Sequence, residues 1–235
     1  MKKTFVCIAT LFLLAAGIAC AAGIRKYSFD NETFGAESRA FVSLVGTWRI
    51  DRNGTRQVYA VDGRKWEQGL MSSGAAEKAR TLYGNRSAEF LRNLEAYKYF
   101  PLAILKDVPE FRNGTISVSF MGLGGRIDQA AGIAFNIRPN GEYLVMRANA
   151  LENNLVLFKM EHGKRSSEQW MRNVPTPANA WHTMKVTING KRIEGFINGT
   201  KLIDYTWKEE INGRIGLWSK ADSYVVFDNF EVQAR

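Results

Sequence analysis

The stretch HTMKVTINGKRIEGFINGTKLIDYT, residues 182–206, consists of three short runs separated by Asn-Gly steps at Asn189-Gly190 and Asn198-Gly199. Asn-Gly readily supplies two positive-φ residues in a row, which a tight type I′ hairpin requires. In the first run Met184, Val186 and Ile188 alternate with Thr183, Lys185 and Thr187, the period-2 pattern of a strand with one buried face. The segment therefore predicts an antiparallel meander. Four more Asn-Gly steps stand at Asn53-Gly54, Asn113-Gly114, Asn140-Gly141 and Asn212-Gly213, so that five of the six fall after residue 110. Further strands are expected over 115–121, 130–138, 142–150, 154–160, 214–218 and 224–232, and the second half of the chain reads as all-β.

Upstream, residues 24–35 read as a first edge strand, and 41–50 with 56–61 as a hairpin across 51–54. Residues 73–98 break the pattern. The run AAEKAR at 75–80 and the segment 87–99 are rich in strong helix formers, and Leu91, Leu94 and Tyr97/Lys98 recur at helical spacing. This predicts a short helical insertion in an otherwise all-β, two-sheet sandwich. Residues 23–235 then form one domain without repeats or linkers.

Residues 1–22 read as a signal peptide: Lys2 and Lys3 precede an apolar stretch over 5–18, and Ala19-Cys20-Ala21 fits a small-x-small cleavage site. A lipoprotein signal is the alternative, with lipidation at Cys20 as the link to a membrane. Either way the expected location is periplasmic or extracellular. Both cysteines, Cys7 and Cys20, belong to this leader, so the mature domain is expected to hold together without a disulfide. Thirty-two Lys+Arg against 23 Asp+Glu give +9. No dense basic run or recognition helix accompanies that charge, which argues against nucleic acid as partner.

Alternation assigns faces. In 143–149, Leu144, Met146 and Ala148 point one way, and Tyr143, Val145, Arg147 and Asn149 the other. An apolar face opposite Tyr, Arg and Asn predicts a sheet that covers the core on one side. The last run places Asp228 among Val226, Phe230 and Val232, where an aspartate must be hydrogen-bonded, paired or ligating.

Several stretches together resemble a family of exported bacterial domains: AAGIAF (130–135), YLVMRANALENN (143–154), HGKR (162–165), WHT (181–183), FING (196–199), GLWSKADS (216–223) and FDNF (227–230). They are similar to concanavalin A-like (laminin G-like) jelly rolls, specifically the 3-keto-disaccharide hydrolase-like domains. The resemblance covers about residues 25–235 apart from 73–98. It implies a jelly-roll sandwich whose concave face receives a carbohydrate, oligo- or polysaccharide.

Sugar recognition needs an aromatic platform and polar groups aimed at hydroxyls. Trp66, Tyr143 and Trp218 are the candidate platforms; Arg147, Asn149, Glu152, Lys159 and Lys220 are the candidate polar contacts. Jelly-roll glucanases of glycoside hydrolase family 16 carry Glu-x-Asp-x-Glu, which sets both carboxylates on one strand face. No Glu in this chain has an Asp two residues later, so that chemistry loses its support. Cleavage of a keto-sugar needs a general base and an electrophile, for which Asp128, Glu152 and Lys220 are the candidates, with His162, His182 and Asp228 as further titratable groups. The two histidines form no transition-metal motif. Calcium needs only oxygen ligands, and Asp30 near the start with Asp228 near the end is the candidate pair. Three functions stay open: a carbohydrate-binding jelly roll, a 3-keto-glycoside hydrolase, and an envelope structural or interaction protein without a small ligand.

Overall fold

The computed structural model describes residues 23–235 except 67 and 68; the expected signal peptide over 1–22, with Cys7 and Cys20, lies outside the described residues. In chain order the strands are β1 (Arg25–Tyr27), β2 (Phe41–Val45), β3 (Trp48–Asn53), β4 (Arg56–Asp62), β5 (Leu102–Leu105), β6 (Gly114–Gly124), β7 (Ala130–Ile137), β8 (Tyr143–Asn149), β9 (Asn154–Glu161), β10 (Lys164–Arg172), β11 (His182–Asn189), β12 (Arg192–Ile197), β13 (Thr200–Thr206), β14 (Arg214–Ser219) and β15 (Tyr224–Ala234). Two helices, α1 (Ala75–Tyr83) and α2 (Ser87–Leu94), stand between β4 and β5.

The strands form two antiparallel sheets. One has eight strands in the order β13-β12-β11-β6-β15-β4-β3, with β1 paired to β15; the other has seven, in the order β10-β9-β8-β7-β14-β5-β2. Their inner faces meet in one core, to which β8 contributes Leu144, Met146 and Ala148 and β11 contributes Met184, Val186 and Ile188. The fold is the expected jelly-roll-like sandwich.

Asn-Gly steps join β3 to β4, β7 to β8, β11 to β12 and β12 to β13. Only at Asn198-Gly199 do both residues take positive φ, 49° and 82°. The other two steps are not hairpin turns: Asn113-Gly114 opens β6, and Asn212-Gly213 precedes β14. His162 and Gly163, at φ 52° and 72°, turn the chain between β9 and β10 in the manner expected of Asn-Gly.

The run 41–50 is two strands in different sheets, β2 pairing with β5 and β3 with β4. The break is at Gly46, at φ 83° and covered by the Trp66 ring, where an added Cβ would lie 2.6 Å from the indole. The expected edge strand over 24–35 shortens to β1. Two strands, β5 and β10, lie outside the expected set. On β15 a bulge at Asp228–Glu231, with Asn229 at φ 49°, shifts the alternation. Val226 consequently packs with Val58, Ala60 and Met121 in a separate cluster, whereas Phe230 and Val232 enter the main core.

The insertion packs on the outer face of the seven-stranded sheet. Ala79 and Leu82 of α1 and Phe90 and Leu94 of α2 join Tyr143, Val145, Phe158 and Trp218 in a second core. Their three- and four-residue spacings place each helix's buried residues on one stripe. Glu77–Arg80 and Arg86–Glu89 pair on the solvent side.

Candidate functional site

The outer face that the insertion leaves free carries a polar constellation. Alternation along β8 puts Arg147 and Asn149 there, β9 adds Asn154, and the ends of β7 and β14 deliver Asp128 and Lys220. Asp128 is fully buried. Its Oδ1 accepts from Asn149 Nδ2 at 2.8 Å and from Lys220 Nζ at 2.8 Å, while its Oδ2 is buried without a partner. Lys220 Nζ lies 4.0 Å from Glu152 Oε1. Glu152 Oε2 accepts from Arg147 Nη1 at 3.0 Å and from Asn154 Nδ2 at 2.9 Å, and Arg147 Nη1 also donates to Asn154 Oδ1 at 2.5 Å.

Backbone geometry sets these groups. The amide oxygen of Asn149 accepts the N–H groups of Gln129 and Leu151, both at 3.1 Å, which fixes the donor end of the side chain toward Asp128. The loop before β7 is held from outside by Asp222, whose carboxylate accepts the backbone N–H groups of Arg126 at 2.6 Å, Ile127 at 3.0 Å and Asp128 at 2.9 Å. Burial disfavours the charge on Asp222, but the amides of Ile127, Arg126 and Asp128 outweigh it and hold the carboxyl below its ordinary pKa. Gly125 opens the loop at φ 126°, so close to the Asp128 carbonyl that an added Cβ would sit 1.9 Å from its oxygen.

Burial works against the Glu152 charge too. The Asn154 hydrogen bond, Arg147 and Lys220 together more than compensate, so Glu152 stays below its ordinary pKa and is a carboxylate at neutral pH. Arg147, 1% exposed, is lowered by burial, which Glu152 partly offsets. Arg165 of β10 is likewise lowered by burial, with Asp128 and Glu152 opposing. Its guanidinium lies over Phe158 and Phe100, 4.6 and 5.0 Å from the ring centroids, and Arg147 stands 5.1 Å from the centroid of the same Phe158.

Asp128, Arg147, Asn149, Glu152 and Lys220 thus come together as candidates. Tyr143 and Trp218, expected as platforms, do not present rings to solvent: they are 2% and 0% exposed beneath the insertion and its following turn. Trp218 stacks on Phe100 at 5.4 Å. The Tyr143 hydroxyl and Trp218 Nε1 are buried without a closed hydrogen bond, although the indole N–H is near enough to lower the phenol's pKa. Burial dominates that contest and raises Tyr143. Trp66 covers Gly46 and packs against the main core instead. Lys159 points to the other side of β9, pairing with Glu161 at 3.6 Å and Glu168 at 3.3 Å. His182 contacts the Pro177 carbonyl and Asn198, and His162 faces Glu142 at 3.5 Å; neither contact involves the Asp128 cluster. Asp30 lies close enough to Asp228 for its charge to add to the burial that raises the Asp228 carboxyl. Among the described residues no group of three or more His, Cys, Asp and Glu is placed to hold a metal ion.

One exposed aromatic of this face is Trp170, 45% exposed, edge-on to Phe158 at 6.3 Å. A register shift between Ser167 and Gln169 puts Trp170 opposite Val156, on the outer side. Ile127 and Leu151, also exposed, adjoin Asp128 and Glu152 in the chain. Three open clefts of ≈ 370, ≈ 340 and ≈ 520 Å³ are lined by other residues. Buried paired charge, not depth, distinguishes the Asp128 region.

The family model described as "3-keto-alpha-glucoside-1,2-lyase-like domain" matches residues 45–233. Among solved structures the chain is similar to the carbohydrate binding module CBM66 from Bacillus subtilis, with a TM-score of 0.58 and 15% identity over 83% of this chain and 96% of that one. It is similar also to a Bacillus licheniformis beta-glucanase, with a TM-score of 0.53 and 11% identity over 91% and 99% of the two chains. A protein of unknown function with galectin-like fold from Bacillus subtilis matches at 0.53 and 13%, over 83% and 89%. At these identities the likeness is one of fold.

Proposed function

Because this chain belongs to the 3-keto-alpha-glucoside-1,2-lyase-like domain family, we propose that its Asp128–Lys220–Glu152 constellation cleaves a 3-keto-glycoside by acid–base chemistry. The observation that carries the proposal is Lys220 Nζ, 2.8 Å from a fully buried carboxylate and 4.0 Å from a partly exposed one. Asp128 fixes the ammonium, and Glu152, ionised and reachable, is the base.

The C3 ketone acidifies the hydrogen on C2. Glu152 takes that proton, and the electron pair moves to the C3 oxygen, where the Lys220 ammonium stabilises the charge. Collapse of the enolate forms the C1=C2 double bond and breaks the C1–O bond. The leaving oxygen departs as the alcohol with the proton that Glu152 took from C2, which regenerates the base, so the step needs no oxidant or reductant. On the reading of residues 1–22 as a signal peptide, the enzyme is an exported one.

Carbohydrate binding without turnover is the second reading, favoured by the exposed Trp170 ring on the same face. Incubation with a 3-keto-glucoside, followed by proton NMR, separates the two. Turnover by wild type that falls at least 100-fold in Glu152→Gln and Lys220→Met supports the enzyme. Saturable binding with no turnover leaves the binding module; turnover unchanged in both variants removes the assigned roles.

A further inference from the structure

The acid–base pair leaves part of this face unexplained. Arg147 Nε and Arg165 Nη1 are both buried and have no partner. A buried donor without an acceptor is destabilising, and here two guanidinium donors lie around one ring, Phe158. Trp218, which faces the Tyr143 hydroxyl, belongs to the same wall: it stacks on Phe100, over which Arg165 also lies. The charges do not balance either. Arg147, Arg165 and Lys220 oppose only Asp128 and Glu152 in the constellation, leaving one positive charge in a largely buried place. Burial depresses both guanidinium pKa values, as expected where cations have too few counter-charges.

Resting on the sugar-site reading above, we infer that Arg165, with Arg147, holds an oxyanion of the sugar ligand. Arg suits the task because its planar fork presents several donors in a fixed geometry. The oxyanion has two sources with one chemistry: a permanent carboxylate on the sugar, or the enolate oxygen that develops during cleavage. Arg165 is the better probe, since Arg147 also braces Glu152 and Asn154.

The test uses the whole protein and two variants, Arg165→Met and Arg165→Lys, with thermal melts confirming that each is folded. Calorimetric titration compares D-glucuronate with D-glucose at pH 7, and steady-state turnover uses a neutral 3-keto-glucoside. A permanent carboxylate predicts glucuronate binding at least tenfold tighter than glucose, with the preference erased in Arg165→Met and partly kept in Arg165→Lys. A developing oxyanion predicts no such preference, but a kcat at least tenfold lower in Arg165→Met with KM little changed, partly rescued by lysine. Either result supports the inference. A folded Arg165→Met that changes neither quantity overturns it, and so does a loss that falls equally on neutral and charged sugars and is not rescued by lysine. If wild type turns over no keto-glucoside, the cleavage reading fails by itself; the glucuronate preference and its dependence on Arg165 then decide this inference alone.

Discussion

The carboxylate of Asp222 accepts the backbone N–H of Asp128 at 2.9 Å, so that one aspartate positions another. Two more amides of the same loop share that acceptor. Asp222→Ala removes charge-assisted hydrogen bonds from three consecutive residues and should lower stability by about 2 kcal/mol. Urea denaturation would measure the loss, and sugar binding or turnover should drop along with it. A variant of wild-type stability and activity would show that the loop does not depend on this carboxylate.

Gly125 tests the same loop from its backbone. With φ at 126° and the Asp128 carbonyl beside it, Gly125→Ala must move the loop or strain it, at about 1–3 kcal/mol. The midpoint of denaturation should fall, and the site should lose activity even at temperatures where the chain remains folded.

Phe90 anchors the insertion. It is fully buried and lies 4.3 Å from the Tyr83 ring. Phe90→Ala should cost about 3–5 kcal/mol, read as a shift in the urea midpoint. A much smaller cost would mean that the helices sit loosely on the sheet.

Trp170 makes the opposite forecast. Because its ring is half in solvent, Trp170→Ala should leave the melting temperature nearly unchanged. Loss of a sugar-stacking surface should weaken binding about tenfold, corresponding to about 1.4 kcal/mol. Unaltered affinity for every sugar that wild type binds would remove Trp170 from the site.

Asp228 supplies a pH dependence. Burial, with Asp30 adding to it and the Asn229 amide and Arg56 opposing, raises its folded pKa. A raised carboxyl destabilises the fold where it is ionised, above the folded pKa; that penalty vanishes below the ordinary value of 3.8. Asp228→Asn should therefore raise the melting temperature at pH 7, and the gain should shrink toward pH 3. A gain independent of pH, or a loss at pH 7, contradicts this account.

Much of the scaffold was legible because period-2 alternation is a local property. Met184, Val186 and Ile188 needed only their own run, as did Leu144, Met146 and Ala148. Arg147, Asn149, Glu152 and Lys220 could be nominated because polar residues stood out on an otherwise apolar strand or at its end. What alternation cannot express is what covers a face. Tyr143 shares its side with Arg147, yet the insertion covers the Tyr143 end, whereas Arg147, buried as well, is enclosed by Glu152 and Asn154, a tertiary fact. Arg165 and Trp170 were missed for a different reason: β10, KRSSEQWMR, is polar on both sides and carries a register shift that conceals its period. Asp222 could not be found from spacing, because its partners lie 94 to 96 residues away and are backbone amides.

That shift in β10 has consequences for how the surface can change. The strand is paired on one side only, with β9, so gaining or losing one residue there disturbs a single ladder. Inserting one residue between Gln169 and Trp170 would turn Trp170 inward and carry Met171, now packed against the main core, to the outside. Deleting Glu168, the unpaired residue of the shift, would instead leave Trp170 opposite Val156. A one-codon insertion at this margin could thus rewrite the chemistry displayed beside Glu152 while the sandwich stays intact. The sheet edge is a place where specificity can diverge without the fold having to be reinvented.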